Sequence, residues 1–295
     1  MRIGIDLGGT KTEGILLDSA GLIRSRIRIP SPQGNYAATQ ETIAQVVTGL
    51  DAEAGVICPV GIGIPGTISP ATGLVKNANS TWLIGKPLDR DLEKRLGRPV
   101  RLANDANCFA LSEASDGAGA GYDSVFGVIL GTGVGGGLVV NGRPLVGRQA
   151  IAGEWGHNPL PWPRDDERPG RSCYCGLSGC IETWLSGPAL VADHKTHSGD
   201  ALTAETIARA DTKTGRESLE RYIDRLARAL ASVINILDPG VIVLGGGLSN
   251  IGALYDALPD ALAPWVFTDR CDTPVLRNIH GDSSGVRGAA WLWPA

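Results

Sequence analysis

The strongest constraint on the fold of this chain is a strand–glycine–strand segment that occurs twice. In the first copy, the apolar run Arg2–Leu7 leads into the turn Gly8–Thr10 and then into a second apolar run. Ser124–Val140 repeats this order, with Ile129–Val134 in the place of Ile5–Thr10. Because a repeated unit is more informative than either copy, the pair predicts two similar domains that each contribute a hairpin to a shared cleft.

Both turns are rich in glycine and lack bulky side chains. Such turns let backbone N–H groups approach phosphate oxygens closely, so the repeat favours a nucleotide-phosphate site in each half. Asp6 ends the first strand, where its carboxylate could hold a hydrated magnesium ion. The second copy has no acidic residue at the corresponding position, so the metal would be bound by the first half alone. For either copy taken singly, an ordinary glycine hairpin is the alternative interpretation.

Strand-like and helix-like segments alternate along the rest of the chain. This alternation indicates an α/β fold with a partly parallel sheet. In such sheets, ligands bind beyond the carboxyl ends of the strands. Asp6, Gly66 and Asp105 all follow or end predicted strands, so we expect them near a bound ligand.

The composition bounds the class of protein. A chain of 295 residues with 43% hydrophobic and 20% charged residues suits two medium-sized globular domains. We predict an N-terminal domain of residues 1–115 plus 281–295 and a C-terminal domain of residues 116–280. The net charge of −4 argues against a nucleic-acid partner. No apolar run reaches membrane-spanning length and the start lacks a signal-peptide layout, so we expect a soluble cytoplasmic protein without a membrane partner. A homodimer is compatible with the sequence.

A cluster of cysteines predicts a metal site. Three of the six cysteines lie within eight residues: Cys173, Cys175 and Cys180. In a cytosolic chain such a cluster indicates zinc and not a disulfide framework. His157 is the first candidate for the fourth ligand of a tetrahedral site, and His194 and His197 compete with it, although their spacing also suits solvated helix residues. No position for a reactive water is implied, so this zinc would be structural.

Asp105 is the candidate for acid–base chemistry. It lies beside Asn104 at the start of a predicted helix, where Asp and Asn are common N-caps. An ionised, positioned carboxylate is also what accepts a hydroxyl proton in phosphoryl transfer, and one residue can serve both purposes. Glu154 and His157 suit hydrogen bonding to sugar hydroxyls. Gly245–Gly247, between a buried strand and a helix, would let a nucleoside approach the backbone, although a structural turn explains the triplet almost as well.

Taken together, these motifs resemble the ROK family of bacterial sugar kinases and related repressors. The family has the actin-like ATPase fold, a ribonuclease H-like α/β domain that is duplicated around a central cleft. The resemblance spans nearly the whole chain, in order, through DLGGTKT (6–12), GIPG (63–66), NDANC (104–108), GTGVGGG (131–137), GEWGH (153–157), CYCGLSGCIE (173–182) and VLGGG (243–247).

The resemblance implies an enzyme that uses ATP and Mg²⁺, with Asp105 as the general base and a structural Zn²⁺. The implied substrate-binding residues are Gly66, Asn79, Asn104, Asp105, Glu154, His157 and Glu182. The implied residues for ATP and magnesium are Gly4, Ile5, Asp6, Leu7, Gly8, Gly9, Thr10, Lys11, Gly131, Thr132, Gly133, Val134, Gly135, Gly136, Gly137, Leu138, Gly245 and Gly246. The implied zinc ligands are His157, Cys173, Cys175 and Cys180.

The sugar is predicted from three segments that look closest to the bacterial fructokinase branch: Lys76–Leu83, Trp155–Trp162 and the C-terminal HGDSSGVRGAAWLWP. They lead us to expect fructose, with mannose second and with glucose or N-acetylglucosamine as alternatives. The spacer between His157 and Cys173 is long and rich in proline compared with many glucose-specific members, which puts glucose in doubt. A non-catalytic sugar sensor is the alternative from another class. ROK repressors carry a winged helix-turn-helix before the kinase-like part, whereas here the hairpin begins at residue 3, so we expect no such module.

Overall fold

The computed structural model describes residues 1–294 and has the α/β architecture that the sequence predicts. The strands are β1 Arg2–Leu7, β2 Lys11–Leu17, β3 Ile23–Pro30, β4 Val60–Ile64, β5 Thr67–Ile68, β6 Val75–Lys76, β7 Val100–Asn104, β8 Ser124–Leu130, β9 Val134–Val140, β10 Arg143–Pro144, β11 Val241–Gly245 and β12 Val275–Arg277. The α-helices are α1 Tyr36–Ala54, α2 Leu88–Leu96, α3 Asp105–Asp116, α4 Glu182–Leu185, α5 Gly187–Ser198, α6 Ala204–Ala208, α7 Lys213–Leu237, α8 Ala253–Leu262 and α9 Ser284–Trp291. Within this part of the chain, no helix has the length and apolar character needed to cross a bilayer.

The first sheet has the strand order β3-β2-β1-β4-β7. Strands β1 and β2 form the predicted antiparallel hairpin, in which Asp6 lies opposite Glu13. Strands β4 and β7 extend the sheet in parallel with β1. Because parallel strands end at the same edge, Asp6, Ile64 and Asn104 are brought to one side of the sheet, where α3 begins.

Two helices show why the local sequence folds as it does around this sheet. Helix α1 begins where the Asn35 side chain accepts the N–H of Ala38 at 3.0 Å, and it ends at Gly55 with φ of 67°. Helix α9 lies so close to β1 and β4 that a Cβ at Gly4 or Gly61 would overlap its backbone. Glycine is therefore required at these two strand positions for α9 to cover the sheet.

The second sheet has the order β10-β9-β8-β11-β12, the same order of strand roles as the first. Strands β8, β11 and β12 are parallel to one another. The four residues Val241–Leu244 of β11 are fully buried. The amphipathic helix α7 is the longest in the described chain, and its buried face includes Leu226, Leu230 and Ile234. The repeated strand–glycine–strand segment thus corresponds to two sheets of like topology.

The chain folds as two compact units, and the division between them falls within β9. The first contains Met1–Gly121, Gly137–Ala152 and the residues from His280 onward; the second contains Tyr122–Gly136 and Gly153–Ile279. The sequence-based division assigns 137–152 to the C-terminal domain instead. This segment contacts the first unit through Gly137, which packs on the backbone of Ala106, and through the Lys76 ammonium, which donates a hydrogen bond to the carbonyl of Gln149 at 2.6 Å.

Several elements differ from the sequence-based expectation. The sequence predicts a helix over Leu254–Val266, whereas α8 ends at Leu262, two residues before Pro264, which disfavours continuation of the helix. Strand β12 and the single-turn helix α4 were not predicted. Both are short, and β12 is half exposed at the edge of its sheet, so neither has a strong apolar period.

The proline-rich spacer between the histidine loop and the cysteines is fixed by buried ion pairs. Arg225 Nε and Arg228 Nη2 donate to Glu167 at 2.7 and 2.8 Å. Arg225 Nη1 also donates to Asp193 of α5 at 2.7 Å. The Arg225 and Arg228 side chains are 4% and 0% exposed. Since losing one partner of a buried pair costs about 3–5 kcal/mol, this network holds the spacer against α5 and α7.

This network predicts a loss of stability in acid. Burial of Glu167 would raise its pKa, but the hydrogen bonds from Arg228 and Arg225 outweigh burial and hold the pKa at about 2, below the ordinary 4.5. A carboxyl group whose pKa is lower in the folded state than in the unfolded state stabilises the fold. This stabilisation is complete above the pKa of the unfolded state and is lost as the pH falls to the pKa of the folded state. We therefore expect the thermal midpoint to drop between pH 4.5 and 2. Glu167→Gln should be less stable at neutral pH and lose less on acidification, whereas the exposed control Glu217→Gln should follow the wild type. An equal acid-induced loss in Glu167→Gln would contradict this linkage.

Candidate active site in two halves

In the first unit, Asp105 is held at the amino end of α3. The Asn104 side chain accepts the N–H of Ala106 at 2.9 Å and donates to the carbonyl of Gly66 at 3.2 Å. Asp105 Oδ1 accepts the same N–H at 2.8 Å. The predicted cap is therefore present, and it fixes an exposed carboxylate at the positive end of a helix, where an ionised form is stabilised.

Two further predicted sugar-binding residues of this unit lie in neighbouring loops. Gly66 has φ of 93°, and a Cβ there would meet the backbone of Ala78 at 2.9 Å. This contact explains the glycine, because a side chain would push the polar loop away. Asn79, the next residue of that loop, is exposed. The structure thus joins Gly66 directly to Asn104 and brings the Asn79 loop beside them.

Asp6 lies half-buried close to two other carboxylates. Burial raises its pKa to about 6, and the charges of Asp105 and Glu13 add to this effect, while Lys11 opposes it. Glu13 is neutralised by Arg26 at 2.5 Å and Arg28 at 2.8 Å. A divalent cation on Asp6 would stabilise its ionised form, and the oxygen donors present suit magnesium. The predicted metal position therefore has a fitting set of groups.

The glycine turns of both units have open faces. In the first, Gly8 N–H donates to the carbonyl of Lys11 at 3.0 Å, and a Cβ at Gly9 would meet nothing within 4 Å. In the second, Gly131 N–H donates to the carbonyl of Gly133 at 3.0 Å, and Gly131 is equally open. Each turn can therefore admit an anion against its backbone.

The second unit contains a cavity of about 1220 Å³ beside its glycine turn. Gly131 and Thr132 form one wall, and Gly247 and Leu248 after β11 form another. The predicted Gly245–Gly247 segment thus reaches this cavity through its last residue. The remaining wall was not predicted and comes from α5, α6 and their connection: Pro188, Val191, Lys195, Thr203, Glu205 and Arg209. No motif marks these residues, so sequence reasoning could not find them.

Two of the predicted sugar-binding residues of the second unit, Glu154 and His157, belong to a loop that Trp155 anchors. Trp155 is 5% exposed, its indole N–H donates to the carbonyl of Gly135 at 2.9 Å, and its ring meets Phe126 edge-on at 5.5 Å. Glu154 and His157 flank this anchor. Such an anchor fixes the backbone from which both side chains project.

Glu182, a predicted sugar-binding residue, contacts the second glycine turn. One of its carboxylate oxygens, Oε2, accepts the N–H of Val134 at 2.8 Å. A Cβ at Gly133 would meet the same oxygen, so glycine is needed there. Sequence reasoning assigned Glu182 to the sugar alone; the structure adds this contact with the turn.

The four predicted zinc ligands come together in the second unit. The ligand atoms of His157, Cys173, Cys175 and Cys180 lie within 4.8 Å of one another. Cys173 Sγ is 3.6 Å from His157 Nδ1, and Cys175 Sγ is 3.6 Å from Cys180 Sγ. Ligands about 2.3 Å from a tetrahedral zinc ion are separated by about 3.8 Å, so the donor set and its spacing fit this metal.

The competing histidines are placed elsewhere. His194 is fully buried, and its Nδ1 lies 2.9 Å from Ser218 Oγ, so the expectation of a solvated residue is wrong for it. The reason is that α5 packs against α7 along this face. His197 Nδ1 lies 2.9 Å from the carbonyl of Asp193. Neither belongs to the group of metal-ligating atoms around the cysteines.

Comparison with known proteins shows the family of this chain. The family model named ROK family matches residues 2–295. An N-acetyl-D-glucosamine kinase from Pectobacterium atrosepticum is 42% identical over 299 residues, which cover 99% of this chain and 98% of that protein.

Solved structures show the same fold. A ROK hexokinase from Thermus thermophilus superposes with a TM-score of 0.86 at 32% identity, over 98% of this chain and 96% of that one. A ROK family glucokinase from Streptomyces griseus, solved with glucose and AMPPNP, superposes with a TM-score of 0.78 at 29% identity. The match covers 99% of this chain and 98% of that one. The predicted actin-like ATPase fold is confirmed by these neighbours. This chain is a member of the ROK family.

Proposed function

We propose that this protein is an ATP-dependent kinase of a hexose. The observation that carries the proposal is Asp105, which Asn104 holds at the start of α3 within electrostatic range of Asp6. A general base beside a site for a divalent cation is what phosphoryl transfer to a hydroxyl requires. The names of the relatives, N-acetyl-D-glucosamine kinase, hexokinase and glucokinase, support the same class of reaction.

Each group has a role in this reaction. A sugar hydroxyl attacks the γ-phosphoryl group in line, and Asp105 accepts its proton. The backbone N–H groups of the first glycine turn and the Lys11 ammonium stabilise the charge that develops on the phosphoryl oxygens. Asp6 would hold magnesium, which supplies further charge neutralisation when bound. The sugar is oriented by polar side chains, with the zinc cluster as a structural support for the loop that carries His157.

Two acceptors have specific support. N-acetylglucosamine is favoured by the curated relatives, which are 41–43% identical and share that name. Fructose is our expectation from three segments of the sequence, and the names of the relatives do not support it. It stays a candidate because Lys76–Leu83 lies beside Gly66, whose carbonyl accepts a hydrogen bond from the Asn104 side-chain amide. The two sugars differ at C1 and C2, so the residues that contact those positions must distinguish them.

A hexose panel tests both the reaction and the acceptor. We expect ATP consumption with N-acetylglucosamine or fructose to give a kcat/KM well above that of glucose. A site built to bond particular hydroxyls can reject an analogue lacking them by about 10⁴. Coupled assays with fructose, mannose, glucose and N-acetylglucosamine give the ranking.

The outcomes of the panel separate the alternatives. Phosphorylation of no hexose, together with sugar binding in calorimetry, would indicate a non-catalytic sensor and contradict the kinase. A lead of N-acetylglucosamine over fructose would settle the acceptor in favour of the curated relatives, and the reverse would favour the sequence segments. Exchange of residues 155–171 with the matching segment of an N-acetylglucosamine kinase should then shift the ranking.

A further inference from the structure

Tyr174 separates two of the cysteines in sequence, and its hydroxyl lies beside His157, a predicted sugar-binding residue of the second unit. The phenolic oxygen is 3.0 Å from Nε2 of His157. The two rings meet edge-on, with centroids 5.2 Å apart and an interplanar angle of 87°. The residue is 78% exposed, so its ring is not part of the core. Sequence reasoning gave Tyr174 no role.

The contact with Tyr174 uses the imidazole nitrogen of His157 that does not face the thiol cluster. An imidazole has two nitrogens, and Nδ1 of His157 faces Cys173 Sγ at 3.6 Å, on the side of the thiol cluster. If Nδ1 held a metal, Nε2 would carry the proton and would donate it to the tyrosine oxygen. The phenolic hydrogen of Tyr174 is then directed to a different acceptor. His157 therefore positions Tyr174, and the Tyr174 hydroxyl can in turn hydrogen-bond to a ligand that the imidazole itself does not contact.

The surroundings of Tyr174 match this arrangement. The phenol lies within electrostatic range of Glu182 and Glu154, the two glutamates that the sequence assigns to the sugar. A neutral hydroxyl among two carboxylates and an imidazole is a typical set of partners for adjacent sugar hydroxyls.

We propose that Tyr174 is a specificity-determining residue that donates a hydrogen bond to a hydroxyl of the hexose, with His157 as its positioning residue. This inference rests on the proposed function and deepens it, because it names a group that distinguishes one hexose from another. The exposed ring leaves the hydroxyl reachable by a ligand, and the edge-on contact with His157 holds it in place.

Tyr174→Phe tests the proposal because it removes only the hydroxyl and keeps the ring. We expect the KM and the calorimetric Kd for the best hexose of the panel to rise about tenfold, the usual effect of losing one neutral hydrogen bond. The KM for ATP and the zinc content, measured by metal analysis, should stay at wild-type values. Tyr122→Phe, at an exposed tyrosine that packs beside Gly240, is the matched control and should change none of these quantities.

Each other outcome overturns the proposal. An unchanged or lowered sugar Kd in Tyr174→Phe would show that the hydroxyl is a bystander or that the sugar displaces it. A raised Kd accompanied by loss of zinc would show that Tyr174 supports the metal and not the sugar. The calorimetric titration is done without ATP, so a wild type that binds hexose but does not phosphorylate it would refute the kinase reaction while still testing Tyr174.

Discussion

Asp105→Asn should leave a folded protein whose hexose phosphorylation has fallen by about 10²–10⁴-fold, the usual contribution of a general base. The amide keeps the cap, because its oxygen can still accept the N–H of Ala106 that Asp105 Oδ1 accepts at 2.8 Å. What it loses is the ability to take the proton of the attacking hydroxyl. Steady-state kinetics with the best hexose, and calorimetric titration of ATP, separate the loss of turnover from any loss of binding.

The control for this variant is the same change at an exposed aspartate of the second unit, Asp260→Asn on α8. It should keep wild-type turnover and stability. If Asp105→Asn retains more than about a tenth of the wild-type turnover, Asp105 does not act as the base. If it fails to bind ATP as well, its role lies in the architecture of the site and not in proton transfer.

Features encoded by neighbouring residues could be predicted from the sequence. Asn35 caps α1 because its side chain reaches an N–H three residues away. The β1–β2 hairpin follows from two apolar runs around a glycine turn. The cysteine cluster follows from spacing and from Gly176 and Gly179, whose φ values of 91° and 76° turn the loop back on itself. In each case the determining contacts lie within a few residues of one another.

Features that depend on distant contacts could not be predicted. The hydrogen bond between Glu182 and Val134 joins residues 48 apart in the chain. The residues of α5 and α6 that line the cavity form no recognisable sequence motif, because many combinations of residues can line a wide cavity. Burial of His194 depends on how α5 packs on α7, and a residue pattern along α5 alone does not show which of its histidines faces that helix.

Protein prepared without chelators should contain about one zinc ion per chain, and Cys175→Ser should lose it. Zinc sites of this class need their full set of thiolates. Even mutation of a residue that only hydrogen-bonds to a ligand weakens metal binding by about 10–100-fold. Cys175 is exposed, so a serine there leaves no cavity and isolates the effect of the missing sulfur. Without metal, the loop that carries His157 and the cysteine loop that carries Tyr174 lose the link between them. We therefore expect a weaker sugar affinity and a lower thermal midpoint than in the wild type, measured together with metal content.

Cys271→Ser is the control, because Cys271 is a partly exposed free cysteine outside the ligand group. It should keep the zinc, the sugar affinity and the thermal midpoint. Wild-type protein without zinc would refute the site. Zinc that persists in His157→Ala would remove His157 as the fourth ligand. His194 would then be a poor replacement, because reaching the cysteines would require it to leave its buried position beside Ser218. His157 on the Trp155 loop therefore stays our predicted fourth ligand.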